Sequence, residues 1–125
     1  MGLVLRILVG VIGALGLLIA AAIWAHPTES LTKLGLETIG GLGHSTGRAD
    51  MGGFFGAAGG LALAAAIRGE ARLLTAPLLL VAIALSGRIL TLVLDGYSPD
   101  MAQPMGIEAG LIAAFAAGRR FVGSR

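Results

Sequence analysis

Cysteine is missing from this sequence. Without it there is no disulfide framework, no thiolate zinc site, no iron–sulfur cluster and no cysteine nucleophile. Charge is scarce too: Asp, Glu, Lys and Arg make up 13% of the 125 residues, against roughly 25% in a soluble domain. Aromatics reach only 5%, too few for a base-stacking platform, and the basic residues are scattered around apolar runs instead of forming a stripe. The net charge of +2 therefore does not point to nucleic acid. The 21 glycines follow no Gly-X-Y period, which excludes collagen, and none leads into a Gly-Lys-Ser/Thr ending, which excludes a phosphate loop.

What fills the chain is hydrophobicity: 56% of residues are apolar and the mean hydropathy is +0.90. Crossing about 30 Å of hydrocarbon takes roughly 20 mostly apolar residues in a helix. Four stretches qualify, at about 3–24, 51–67, 75–94 and 104–117. The expected fold is all-α: one domain over 1–125, an integral membrane four-helix bundle. The second and fourth stretches are short and should recruit flanking residues. Pro77 and Pro104 fall at helix starts, where a missing N–H costs little. Arg6 and Ala20-Ala21-Ala22 would also suit a signal peptide. The apolar run is longer than a usual signal core, however, so a retained helix is expected.

Arg6, Arg68, Arg72, Arg119, Arg120 and Arg125 fall on the side shared by the termini and the second connection. The other side holds Lys33 and Arg48 against Glu29, Glu37, Asp50, Asp95 and Asp100. Positive charge marks the cytoplasmic face, so both termini should be cytoplasmic. Trp24 and Tyr97 at span ends suit the opposite interface. The first connection, 25–49, is too long for plain loop. Thr28 or Ser30 should cap a short interfacial helix with Leu31, Leu34 and Ile39 on its apolar face. Gly40-Gly41-Leu42-Gly43 should end it, and Ser45, Thr46 or Asp50 should cap the second span. Arg68-Gly69-Glu70-Ala71-Arg72 reads as a tight charged hairpin.

Helices in lipid associate by close backbone approach and polar contacts. Gly52, Gly56 and Gly60 form one small-residue ridge on the second span, and Gly53, Ala57 and Gly60 form another, with Gly59 beside them. Gly13, Ala14, Gly16 and Ala20 do the same on the first. The second span should therefore be the most central helix, with its ridges serving contacts within the chain or between copies.

The sharpest feature is Arg88, two turns before the end of the third span. A charge there costs at least about 2.5 kcal/mol, so it needs protein, water or a partner around it. Arg48, Asp50, Asp95 and Glu108 lie toward the same side. One reading is an internal ion-pair network, Arg88 with Glu108 and Arg48 with Asp50 or Asp95, that specifies helix register. The other is a polar pocket in which Arg88 binds an anionic head group or Glu108 carries a proton. His26 and His44 near Glu29, Glu37 and Asp50 lack metal-ligand spacing. Ser86 has no histidine in the adjacent spans and no nucleophile elbow, and Ser86-Gly87 instead suits close helix approach.

Gly47-Arg48-Ala49-Asp50-Met51-Gly52-Gly53, then Gly87-Arg88, Asp95-Gly96 and Glu108, resembles domain-of-unknown-function family 4345 over nearly the whole chain. The family's arginine usually directly precedes the glycines of the second helix, whereas Arg48 is separated from them by three residues. The resemblance implies a small bacterial inner-membrane protein of four helices, directs attention to Arg48, Arg88 and Glu108, and carries no activity with it.

No catalytic constellation assembles from these residues, so the expected function is non-enzymatic: a homo-oligomer, or an accessory subunit of a larger membrane complex, packing through its glycine ridges. The alternative is a transporter, channel or lipid- or anion-binding module using the Arg88/Glu108 pocket. A membrane enzyme acting on a lipid or quinone through Glu108 is the third. No metal and no cofactor are expected. Membrane lipid is the expected small-molecule partner and nucleic acid is not a partner.

Overall fold

The structure, a computed structural model, describes residues 2–121. Among them every regular element is helical. The long helices are α1 (Gly2–Ala25), α4 (Gly52–Arg68), α5 (Thr75–Leu94) and α6 (Ala102–Phe121), with the short α2 (Pro27–Thr32) and α3 (Gly40–Thr46) between the first two. Three stretches are long and apolar enough to cross a membrane: Gly2–Ala25, Gly40–Arg68 and Ala71–Leu94. α6 has the length, but Gln103, Pro104, Glu108, Arg119 and Arg120 make it the most polar of the long helices.

The first connection departs from expectation. The Gly40 run begins a helix and does not end one. From Gly40 the chain turns helically without a break through α3, a π-helical turn at Gly47–Met51 and α4. Ser45, Thr46 and Asp50 therefore lie inside a continuous helix and cap nothing. At 29 residues and a rise of about 1.5 Å each, this helix is longer than the roughly 30 Å that a hydrocarbon core measures. The capping residues also differ for α2: His26 holds the N-cap position without a side-chain bond, and Pro27 supplies the first turn. Of the three residues expected on an apolar face here, Leu31 is buried, while Leu34 and Ile39 are exposed. Leu31 packs where a Cβ on Gly47 would otherwise stand, which seats α2 on the π-helical turn.

The second connection is the expected tight hairpin. Gly69 takes a left-handed φ of +67° to end α4, Glu70 and Arg72 pair at 3.4 Å, and a 3-10 turn over Ala71–Leu74 leads into α5.

The long helices are neighbours in the order α1, α4, α5, α6 and back to α1, and the α1–α4 interface is the most extensive. Its crossing point is glycine on glycine. A Cβ on Gly13 would stand 2.5 Å from Leu63 N and 2.7 Å from Gly59 O, and one on Gly59 would stand 2.8 Å from Gly13 O. The Gly52/Gly56/Gly60 ridge expected on α4 does face α1, but Gly59 beside it makes the closest backbone approach. Gly56 and Gly60 make only ordinary contacts, at 3.8 Å to Ala20 and Leu17, while Gly53 faces open space and Gly52 lies under the Trp24 indole. Gly87 also faces open space, so Ser86-Gly87 is no helix contact, and Ser86 Oγ donates back to Ala82 O.

The apolar core gathers at the end of the molecule where α4 turns into α5: Val9, Ala62, Ala65, Ala66, Leu74, Val81 and Phe115. Buried side chains on α5 are confined to its start, Pro77 and Val81. Outward, α1 presents Leu3, Val4, Ile7, Val11, Leu15 and Leu18, all exposed.

Candidate functional site

The inward stripe of α5 runs through Leu74, Pro77 and Val81, and its heptad continuation is Arg88. On α6 the inward stripe runs back from Phe115 through Ile112 and Leu111, and its continuation is Glu108. Both charged residues thus lie on the inward stripes of their helices, beyond the apolar cluster that holds Val81 and Phe115. Arg88 Nε donates to Glu108 Oε1 at 2.7 Å, with the Glu108 side chain 13% and the Arg88 side chain 37% exposed. A short, charge-assisted bond of this kind is among the stronger ones a protein makes.

The rest of the expected cluster is not brought into a network. Arg48 pairs with neither Asp50 nor Asp95. Its Nε donates to Trp24 O at 2.9 Å, and Trp24 Nε1 donates to Arg48 O at 3.0 Å. This reciprocal pair clamps the end of α1 to the π-helical turn. Asp50 and Asp95 make no ion pair among the described residues. His44 Nε2 meets Thr28 Oγ1 at 2.9 Å, which ties α2 to α3 and does not join His26. Among the described residues no group of three or more His, Asp or Glu is placed to hold a metal ion.

Two basic contacts and the placement of a third basic residue were not foreseeable from residue spacing. Arg6 reaches the end of α4, donating from Nε to Ala66 O at 2.8 Å and from Nη2 to Ile67 O at 3.1 Å. It caps the carbonyls that a helix leaves unpaired at its C-terminus. Arg119 Nε donates to Thr75 Oγ1 at 2.8 Å, fixing the end of α6 beside the start of α5. Lys33 joins Arg88 in a cleft of about 730 Å³, between the turn after α2 and the start of α6. Asp100, Gln103 and Pro104 line it from the α6 side, with Leu34 and Ile107 as apolar wall. The signals in the sequence were the helix stop at Gly69, which leaves carbonyls to be met, and the charge of Lys33 on a side where acidic residues predominate. Arg125, of the basic set near the termini, lies outside the described residues.

No protein-family model, no curated protein and no solved structure matches this chain.

Proposed function

We propose that this chain is a multi-pass protein of the bacterial inner membrane, a bundle of four spanning helices with cytoplasmic termini. It works by packing, as a homo-oligomer or as an accessory subunit of a larger membrane complex. The observation that carries the reading is how the cations are spent. Arg6 and Arg48 hold backbone carbonyls of a neighbouring helix or turn, Arg119 holds a hydroxyl, and Arg88 holds Glu108. Each ties two segments of the bundle together, which is structural employment, while the exposed apolar residues of α1 and α5 are left to face lipid or a partner. The Arg119–Thr75 bond supports α6 as a fourth span, because it makes α6 run the full height of α5. The resemblance to domain-of-unknown-function family 4345 belongs to the same reading.

The test is native mass spectrometry of the protein released mildly from its own membranes. An assembly of several copies, or one containing other chains, is the expected result; a lone protomer would overturn it. A second reading, a lipid- or anion-binding module, is favoured by one observation: Arg88 keeps part of its guanidinium open to the cleft.

A further inference from the structure

Glu108 accepts from Nε of Arg88, and the two terminal nitrogens of that guanidinium have no partner among the described residues. The Lys33 ammonium and the Asp100 carboxylate, in the same cleft, are also without one. Unmet charged donors two turns inside a membrane helix are costly, so an acceptor is expected where they point. The charge balance limits what that acceptor is. Arg88 is already neutralised by Glu108, and Lys33 is opposed by Asp100. A purely anionic group would meet the Asp100 carboxylate as well as the two cations of the lining. A group carrying both signs meets complementary charge at each end.

The cleft's volume falls in the roughly 300–1,000 Å³ range of small-ligand sites. Its apolar wall, Leu34 and Ile107, is exposed. We propose that this cleft holds the headgroup of a zwitterionic phospholipid bearing a primary ammonium. The Arg88 terminal nitrogens and Lys33 take the phosphodiester, Asp100 takes the ammonium, and Ile107 and Leu34 flank the first acyl carbons. The inference rests on the membrane reading given above and names the ligand class of its second form.

The full chain is reconstituted in nanodiscs containing equal parts phosphatidylethanolamine, phosphatidylglycerol and phosphatidylcholine, and the lipids retained after release are counted by native mass spectrometry. The wild type should retain phosphatidylethanolamine about tenfold over the other two, the scale of one charge-assisted hydrogen bond. Asp100→Asn should bring phosphatidylethanolamine down to the phosphatidylglycerol level, and Lys33→Ala should lower retention of all three. Both residues are exposed and lie outside the long helices, so neither change threatens the fold. Equal retention of the three lipids by the wild type, or an Asp100→Asn variant that keeps the preference, would overturn the proposal. Displacement of the lipid by millimolar inorganic phosphate would overturn it too, in favour of a free-anion site. A chain that does not enter the nanodisc defeats the membrane reading along with this one; a chain that enters without headgroup preference defeats this one alone.

Discussion

A charged side chain two turns inside an apolar helix must be neutralised where it stands, and Arg88 is met by Glu108 across the α5–α6 contact. Removing one partner leaves the other charge uncompensated, and Glu108 is the better buried of the two. Arg88→Ala should therefore destabilise the protein by about 3 kcal/mol, more than the loss of one bond. Arg88→Ala combined with Glu108→Ala should recover part of that loss. Denaturant titrations of the wild type, both single variants and the double variant in one detergent measure the coupling; simple additivity would show that the pair does not act as a unit. This pairing was one of the readings legible in the sequence because the two opposite charges enter neighbouring spans from the same side. The partners of Arg48 and Arg6 were not, because each binds backbone carbonyls, and every residue in the chain carries one. Matching opposite charges, which suggested Asp50 or Asp95 for Arg48, weighs the wrong kind of acceptor.

Between elements, the α1–α4 crossing depends on two helices having no side chain at the same point. At Gly59 and Gly13 the obstructing atoms are backbone and cannot swing aside, whereas Gly53 has nothing near it. Gly59→Ala should cost roughly 2 kcal/mol through forced separation of the helices. Gly53→Ala should be neutral or slightly stabilising, since alanine is the better helix former by about 1 kcal/mol. Thermal unfolding of the two variants side by side checks this; equal effects would contradict the crossing geometry. The small-residue content of α1 and α4 told which helices pack closely. Which of the α4 glycines face α1 depends on how the helix is rotated about its axis, and that is settled by its partners and by the π-helical turn upstream. The same turn explains why the Gly40 run misled. Glycines usually stop helices, but here the first of them takes a φ of +61° and the rest join a helix held by its continuation into α4.

For the molecule as a whole, topology turns on α6. Its composition alone does not require a crossing, but the hydrogen bond from Arg119 to Thr75 returns its end to the start of α5. A reporter that fluoresces only in the cytoplasm, fused to the C-terminus, should be bright; a dark fusion with an active periplasmic reporter at the same point would leave three spans. The arginine bias was readable from the sequence at this scale, as was the helical class. The cleft was not, because it is bounded by the turn after α2 and the start of α6, segments far apart in the chain. The dominance of the α1–α4 contact has a consequence for how the protein is made. Every residue of that interface lies before Gly69, so the first hairpin can lock together while the second is still being synthesised. Arg6 can then close on the last carbonyls of α4 before α5 and α6 are made.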